Sequence, residues 1–328
     1  MNVKKIRWGI IGLGNIANQF AFDLALVEDA ELYAVASRSL DNATTFAEKH
    51  NAAAVVYDDY TTLINDPNVD IIYIATPHDS HASLAVQALN GKKHVLCEKP
   101  VALNYEQASN MVAAAKANNR FFMEAFWTRF NPSFQQALLK IKQGELGEIR
   151  YINADFSYLI DQPAGRMIDI ELGGGSLLDM GVYPLLLAYV VLGKPEKVLA
   201  SGLFFESGAD QQTAMILQYN NAQAVLQSSF MSHSNMVATI SGTAGRININ
   251  SFWHEAQGFN FVKNDHQTEY SFPTKGKGFT YEIEECHQCI KEERIESEIW
   301  SHQNSLDLIS IADAVRVQTG LKYTIDEY

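Results

Sequence analysis

The sequence GLGNIA, residues 12–17, follows the apolar run IRWGII, residues 6–11, and this junction decides the fold of the 328-residue chain. Its GxGxxA spacing is typical of a tight turn between a strand and a helix. Gly12 permits the turn, Gly14 lets a phosphate approach the backbone, and the small Ala17 permits close packing of the helix on the strand. The junction therefore predicts the first βα turn of a dinucleotide-binding domain.

The helix after this turn begins at Asn15 and Ile16. Its first N–H groups and the positive end of its dipole would face the phosphates of a bound dinucleotide. We therefore expect Gly12, Gly14, Asn15 and Ile16 to bind a cofactor. The alternative is a plain tight turn without a ligand.

The first part of the chain alternates apolar runs with helical patterns. Continuous apolar strands between helices are typical of a parallel sheet buried on both faces. We therefore predict a doubly wound α/β Rossmann domain over residues 1–124. The predicted strands are 6–11, 31–37, 53–56, 70–75, 93–97 and 120–123, and the predicted helices lie near 15–28, 41–49, 79–90 and 104–118.

The pattern changes after Pro132, where short β-type runs separated by Gly- and Asn-rich turns dominate. We predict a C-terminal α+β domain over residues 125–328, with an open, mainly antiparallel sheet that binds substrate. An uncovered apolar sheet face tends to be paired, so this sheet is also expected to form a homodimer or larger oligomer. The predicted strands are 149–158, 197–205, 213–219, 222–231, 237–241, 247–249 and 259–262, and the predicted helices lie near 133–142, 173–192, 279–293 and 303–319.

The second strand ends at Ser37 and Arg38, about twenty residues after the glycines. NAD-binding domains usually carry Asp or Glu there to bind the ribose 2′-hydroxyl. A carboxylate would repel a 2′-phosphate, whereas a guanidinium and a hydroxyl bind one. The pair predicts NADP as the cofactor. If Arg38 only stacks on the adenine, NAD would serve as well.

Further candidates stand at the ends of later strands, where ligands of open α/β sheets bind. Thr76, Pro77 and His81 follow the fourth strand and could line the cofactor, although a lone histidine is more often a satisfied structural residue. Trp127 and Arg129 follow the sixth strand. They could wall the nicotinamide and hold a phosphate or hydroxyl, or they could be core packing and a helix-start charge.

The fifth strand ends in CEKP, residues 97–100, on the same predicted sheet edge as the glycine turn. Glu98 is expected beside the cofactor. Lys99 is either a solvated loop residue or a proton-handling residue near the nicotinamide. Pro100 biases Lys99 toward an extended backbone and would aim its side chain consistently.

A second cluster is GGGSLLDMGVYP, residues 173–184. Ser176 is a plausible N-cap, and the four-residue spacing of Asp179 and Tyr183 predicts that both project from one helix face. A buried carboxylate needs a partner, and Lys99 is a natural one. The alternative is a capped core helix with one amphipathic tyrosine.

Together these motifs resemble the glucose–fructose oxidoreductase, inositol dehydrogenase and MocA family. The segment MEAFWTRFNP, residues 123–132, and the pairs at 296–297 and 301–302 are similar to its branch of dimeric dihydrodiol dehydrogenases and D-xylose dehydrogenases. The resemblance implies a Rossmann domain, an open sheet that often mediates dimerisation, and Lys99 and Tyr183 acting at the substrate carbinol with Asp179 beside them. The family's proline-containing ending is replaced here by YTI, residues 323–325, which we expect to lie away from the site.

The chemistry of hydride exchange with an alcohol supports these roles. A proton must leave or join the oxygen, and a tyrosine with its ordinary pKa of ~10 is a weak base near neutrality. A lysine ammonium nearby favours tyrosinate and stabilises charge on the substrate oxygen. We therefore expect Tyr183 to act as the acid and base. Lys99 is expected to lower the pKa of Tyr183, and Asp179 is expected to orient Lys99. Alternatively, Lys99 is itself the acid and base.

The predicted activity is that of an NADP-dependent dehydrogenase acting on the CH–OH group of a sugar, polyol or cyclic diol. Two alternatives use the same fold. One is a reductase of a non-sugar carbonyl. The other is a nucleotide-sensing regulator without catalysis, although such a protein would be expected to lack the lysine or the tyrosine, and both are present.

The composition limits the partners. The net charge of −13 argues against nucleic acid or an anionic membrane surface. Three cysteines in a long chain favour reduced thiols, so we expect a cytoplasmic protein with a small-molecule substrate. The CxxC at residues 286–289 has no second Cys or His pair to complete a zinc site, so no metal is expected and both thiols are interpreted as structural.

Overall fold

The computed structural model describes residues 5–50, 53–161 and 163–327, so the outer ends of the predicted domains, 1–4 and 328, lie outside the described residues. The strands are β1 (Ile6–Ile11), β2 (Ala30–Ala36), β3 (Val55–Tyr57), β4 (Ile71–Ile74), β5 (His94–Glu98), β6 (Phe122–Ala125), β7 (Ile149–Ser157), β8 (Lys197–Phe204), β9 (Asp210–Gln218), β10 (Gln223–Ser229), β11 (Ala238–Gly242), β12 (Arg246–Ile249), β13 (Gly258–Lys263) and β14 (His266–Ser271). The helices are α1 (Asn15–Leu24), α2 (Leu40–Lys49), α3 (Tyr60–Asn65), α4 (His81–Asn90), α5 (Tyr105–Asn118), α6 (Trp127–Phe130), α7 (Pro132–Lys142), α8 (Val182–Leu192), α9 (Thr280–Lys291) and α10 (His302–Thr319).

The chain divides into two compact units. The first contains Met1–Ala102, Glu106–Phe130 and Lys275–Ser305, and the second contains Leu103–Tyr105, Asn131–Thr274 and Leu306–Tyr328. A late segment of the sequence is therefore part of the first unit. We call Lys275–Ser305 the returning segment, because the chain comes back to the first unit there. The spacing of apolar residues in the sequence does not predict this return.

The first unit is built on a parallel six-stranded sheet in the order β3-β2-β1-β4-β5-β6. Its central strands β1 and β4 are almost entirely buried, which explains why their sequences are almost entirely apolar. The order reverses between β1 and β4, and ligands of such sheets bind at this switch point. The predicted doubly wound parallel sheet is confirmed.

Local signals set the helix starts of this unit. The side chain of Ser39 caps α2 by accepting from the N–H of Asn42, and the side chain of Asp59 caps α3 by accepting from the N–H of Thr62. Helix α3 was not predicted, because a six-residue helix is too short to show a helical period in its apolar residues.

The returning segment is attached to α1 by a buried carboxylate. Asp23 accepts hydrogen bonds from the N–H groups of Lys277, Gly278 and Phe279 at 2.9 Å or slightly more. Asp23 is only 2% exposed, and these bonds satisfy the free N–H groups ahead of α9.

The second unit contains an eight-stranded sheet in the order β14-β13-β12-β11-β7-β10-β9-β8. Only β7 and β10 pair in parallel among the described strands of this sheet, so the predicted mainly antiparallel sheet is confirmed. Strand β14 was not predicted, because its sequence HQTEYS is polar and almost fully exposed at the sheet edge.

The two faces of this sheet differ. On β9, Thr213, Met215 and Leu217 are buried, whereas Ala214 and Ile216 are exposed. The buried face is covered by α8, which is apolar all round, as expected of a core helix. By length and composition alone, the helical stretch Ile170–Leu192 could cross a membrane, but 72% of its apolar window is buried inside the protein.

Candidate active site

The glycine turn of the first unit has the geometry of a phosphate site. Gly12 has φ +86°, and a Cβ there would lie 2.6 Å from the carbonyl of Ala75 and the nitrogen of Thr76, so only glycine fits. A Cβ on Gly14 would have no atom within 4 Å, so a ligand can approach the backbone there. Helix α1 begins next, and no side chain caps its free N–H groups. A pyrophosphate fits this arrangement.

The end of β2 fits a phosphorylated ribose. Arg38 is exposed, and Ser37 is half-buried with its hydroxyl accepting from the N–H of Ser39 at 3.3 Å. Ser39 in turn caps α2. These two serines thus order the loop around the guanidinium, and no carboxylate stands at positions 37–39 to repel a 2′-phosphate.

His81 links two loops at the switch point. Its side chain is fully buried, with Nδ1 2.8 Å from the carbonyl oxygen of Pro100 and Nε2 2.9 Å from that of Thr76. It therefore ties the end of β4 to the segment after Lys99. Thr76 and Pro77 are half-buried, and both accept from the hydroxyl of Ser80.

Glu98 and Lys99 stand at the end of β5. The carboxylate of Glu98 is buried, accepting from the hydroxyl of Tyr73 at 2.5 Å and from the N–H of Lys99 at 3.2 Å. Glu98 thus holds the backbone of Lys99. The side chain of Lys99 is half-buried, and the bond to Pro100 is cis.

Trp127 and Arg129 are both largely enclosed. The indole of Trp127 stacks on Phe279 with ring centroids 4.9 Å apart, and a Cβ on Gly278 would touch it. Burial lowers the pKa of Arg129 to about 10. The ring stacking gives Trp127 a packing contact within the first unit.

The segment that carries Asp179 and Tyr183 differs from the predicted uniform helix. A π-helical turn, Leu177–Gly181, precedes α8. Ser176 stands at the N-cap position, as predicted, but its side chain does not make the capping bond: its hydroxyl donates to Asp210 at 2.7 Å, and Asp210 also accepts from the N–H of Leu177 at 2.9 Å. The carboxylate of Asp210, which is distant in sequence, therefore caps the helix start in place of the local hydroxyl.

The wall around Tyr183 contains a residue that the sequence did not reveal. The rings of Phe156 and His254 stack with centroids 4.2 Å apart, and their centroids lie 5.2 and 5.5 Å from that of Tyr183. All three side chains are less than 9% exposed. His254 sits on a short turn without a motif, and its only signal was the aromatic cluster FWH in a polar loop.

Asp179 is half-buried, not fully buried as the apolar helix suggested. Its Oδ1 lies 3.4 Å from Nη1 of Arg166. Arg166 belongs to the loop before the glycines and was not predicted. The carboxylate therefore has a cationic neighbour within the second unit.

The cysteines are core residues. Cys97, Cys286 and Cys289 are buried free thiols, and burial raises the pKa of each. Cys289 donates to the carboxylate of Glu285 at 3.2 Å. The CxxC therefore lacks an exposed thiolate. Among the described residues, no group of three or more His, Cys, Asp or Glu could hold a metal ion.

Comparisons with known proteins agree with this architecture. The family model "Oxidoreductase family, NAD-binding Rossmann fold" matches residues 6–126, and the model "GFO/IDH/MocA C-terminal domain" matches residues 134–248. A trans-1,2-dihydrobenzene-1,2-diol dehydrogenase of Xenopus laevis is 35% identical, covering 97% of this chain and 99% of its own. The scyllo-inositol 2-dehydrogenase (NADP(+)) of Bacillus subtilis is 36% identical, covering 98% and 99%.

The 3-ketoreductase KijD10 of Actinomadura kijaniata, solved with NADP and TDP-benzene, is a structural neighbour. It is 26% identical with a TM-score of 0.87, covering 96% of this chain and 98% of its own. Other structures of that enzyme carry a substituted lysine or a substituted tyrosine, 84 positions apart. The matches span both halves of the sequence and confirm the resemblance, so this chain belongs to the GFO/IDH/MocA oxidoreductase family, with an NAD-binding Rossmann domain.

Proposed function

We propose that this oxidoreductase is an NADP-dependent dehydrogenase that exchanges hydride with the carbinol carbon of a polyol, sugar or cyclic diol. The observation that carries the proposal is the glycine turn at the switch point, open at Gly14 and directed at the uncapped start of α1. The exposed Arg38 favours NADP. The NADP-bound neighbour and the NADP-dependent inositol dehydrogenase support the same cofactor.

The proposal assigns cofactor binding to residues 1–124 together with Trp127 and Arg129, and substrate binding to the rest of residues 125–328. Gly12, Gly14, Asn15 and Ile16 would hold the pyrophosphate by backbone N–H groups. The other proposed cofactor residues are Ser37, Arg38, Thr76, Pro77, His81, Glu98, Trp127 and Arg129. Of these, His81 and Glu98 would act by holding the loops in place, because their polar atoms bond to protein groups.

Lys99 and Tyr183 are the proposed catalytic residues. They are 84 positions apart, which is the separation of the substituted lysine and tyrosine in the 3-ketoreductase. In oxidation, the phenolate of Tyr183 takes the hydroxyl proton, the ammonium of Lys99 donates to the substrate oxygen, and Asp179 supports the pair electrostatically. The bound nicotinamide supplies the hydride acceptor.

The alternative assignment makes Lys99 the acid and base. Tyr183→Phe separates the two. If Tyr183 carries the proton, the variant loses about 10²–10⁴-fold in kcat and the pH dependence of the remaining rate changes. If Lys99 carries it, Tyr183→Phe retains most of the rate and its pH profile.

The wall around Tyr183 favours a polyhydroxylated substrate. Phe156 offers an apolar face, and the imidazole of His254 adds hydrogen-bonding capacity in a site that is otherwise aromatic. A ring with several hydroxyls uses both features. The relatives that act on inositol and on a benzene-derived diol also take cyclic substrates with adjacent hydroxyls.

The decisive experiment follows the absorbance of reduced nicotinamide with inositols, pentoses, hexoses and dihydrodiols, using NADP and NAD in parallel. Wild type is compared with Lys99→Met and with Lys263→Met, which removes an exposed lysine of β13. Turnover with NADP that is lost only in Lys99→Met supports the proposal. NADP binding without turnover on any panel member would favour a non-sugar carbonyl reductase or a nucleotide-sensing regulator.

We also propose that two copies of the chain pair through the open sheet of the second unit. Leu199, Ile216 and Val225 lie in register on its exposed face, beside a groove of about 690 Å³. Light scattering is expected to give a dimer or larger species for wild type and a smaller one for Ile216→Asp. Val317→Asp, at an 81% exposed site on α10, should not change the assembly. A wild-type mass near 36.6 kDa at micromolar concentration would contradict pairing.

The partners and location complete the proposal. A net charge of −13 disfavours nucleic acid and anionic membrane surfaces, and the long apolar helix is mostly buried. The three thiols are free. These observations support a cytoplasmic enzyme with a small-molecule substrate.

A further inference from the structure

The C-terminal segment lies against the loop that precedes Asp179, contrary to our expectation that it lies away from the site. The hydroxyl of Tyr323 donates to the carbonyl oxygen of Gly174 at 3.1 Å, and the hydroxyl of Thr324 donates to the carboxylate of Glu171 at 2.7 Å. Tyr323 is 1% exposed, so its hydrogen bond is protected from water. All of these residues belong to the second unit.

The C-terminal segment is itself held by a buried guanidinium. Arg316, only 5% exposed, forms an ion pair with Asp326 and lies 4.7 Å from the ring centre of Tyr323. It also donates to the carbonyl oxygen of Leu103 at 2.7 Å. Leu103 also belongs to the second unit, so one side chain anchors both the backbone at Leu103 and the C-terminal segment.

The glycine loop, residues 173–175, cannot adjust freely because it packs closely on both sides. A Cβ on Gly174 would lie 2.6 Å from the carbonyl oxygen of Arg166, and a Cβ on Gly175 would lie 2.2 Å from Oδ1 of Asp210. Gly175 also accepts from the N–H of Asp179 at 3.3 Å. A shift of the glycine loop would therefore move both partners of the ion pair between Arg166 and Asp179.

We propose that Tyr323 is a positioning residue of the active site: its hydroxyl fixes the glycine loop, and the loop sets the Arg166–Asp179 pair and the turn that leads to Tyr183. This role rests on the proposed function of Asp179 and Tyr183. Tyr323 touches no reacting atom in this scheme. Its effect is transmitted by the carbonyl of Gly174.

Tyr323→Phe tests the proposal, because it keeps the ring over Arg316 and removes only the hydroxyl. We expect kcat to fall about tenfold, as for the loss of one buried hydrogen bond, with the Kd for NADP unchanged. The matched control is Tyr189→Phe. It removes a phenol hydrogen bond of 3.0 Å to Asp307 in the same unit, and Asp307 keeps its ion pair with Lys194. The control should retain the wild-type kcat.

A double-mutant cycle with Arg166→Met identifies the route of the effect. If Tyr323 acts through the Arg166–Asp179 pair, the double variant loses little more activity than Arg166→Met alone. A merely structural role gives two independent, multiplicative losses. The second result would overturn the proposal.

Hydrogen exchange of the backbone amides gives a readout that does not need turnover. Tyr323→Phe is expected to speed exchange over residues 165–183 and Tyr189→Phe to leave that stretch unchanged. Unchanged exchange in Tyr323→Phe would overturn the positioning role even if the substrate were unknown. If Tyr323→Phe does not fold, Thr324→Val replaces it: faster exchange over residues 165–183 would support the positioning role, and unchanged exchange would overturn it.

The proposed function and the positioning role fail in different ways. A fully active Tyr183→Phe would refute the catalytic assignment, whereas the hydrogen-exchange result would still decide whether Tyr323 fixes the loop. An inactive Tyr183→Phe beside a fully active Tyr323→Phe would refute the positioning role alone.

Discussion

The carboxyl group of Glu124 accepts a 2.8 Å hydrogen bond from the backbone N–H of Val101, two positions beyond Lys99. Its other oxygen accepts from the indole of Trp300 at 3.2 Å. Burial raises the pKa of Glu124 to about 7, more than these hydrogen bonds lower it. A titratable group therefore lies beneath the segment that carries the proposed catalytic lysine.

This group should make stability depend on pH. The folded pKa of about 7 exceeds the ordinary value of 4.5, so the contribution of Glu124 is complete below pH 4.5 and is lost as the pH rises through 7. Its loss is on the order of 3 kcal/mol. Urea unfolding of wild type and Glu124→Gln at pH 5 and pH 8 measures it: the decline should be smaller in the variant. Glu206→Gln, at an exposed site, should follow wild type. An equal decline of the free energy of unfolding from pH 5 to pH 8 in all three proteins would contradict the raised pKa of Glu124.

Gly276 should be intolerant of a side chain. It has φ +61°, and a Cβ would lie 2.2 Å from Oδ1 of Asp23, the carboxylate that holds the returning segment. We expect Gly276→Ala to lower the free energy of unfolding by about 2–4 kcal/mol. Gly144→Ala is the control, because Gly144 has φ +75° but open space around it, and should cost about 1 kcal/mol. Similar losses for the two variants would show that only backbone strain matters.

Arg38→Ser should separate the two interpretations of Arg38. If the guanidinium binds the 2′-phosphate, the KM for NADP rises about 10–100-fold while the KM for NAD changes little. If it stacks on the adenine, both values rise together. Steady-state kinetics with each cofactor decides this. Arg246→Ser, which removes an exposed arginine of β12, should leave both values unchanged.

His254→Phe should change substrate preference. We expect kcat/KM for a polyol to fall about 10–100-fold, because a buried hydrogen-bonding group is lost, and kcat/KM for an aromatic dihydrodiol to fall far less. Competing the two substrates in one reaction gives the ratio directly. His266→Phe, on the exposed edge strand β14, is the control. An unchanged ratio would remove His254 from the substrate wall.

Local sequence was sufficient for much of the fold. The apolar runs ending at Ile11, Ala75 and Cys97 predicted a buried parallel sheet, since a strand covered on both faces has no polar side. The glycine spacing at residues 12–17 and the EKP motif placed the cofactor and lysine candidates at one sheet edge. Each of these signals lies within one strand and the turn after it.

The remaining features depend on residues that meet only in the folded chain. Asp210 replaces Ser176 as the cap of the helix start, Asp23 holds the segment after Lys275, and Tyr323 donates to Gly174. No periodicity records such contacts, because the partners are separated by 33 to 254 positions. The sequence by itself determined which strands are buried and where a dinucleotide can bind. Only the tertiary structure decided which side chains support Asp179 and Tyr183, because a buried hydrogen bond requires a partner at about 3 Å, wherever that partner lies in the sequence.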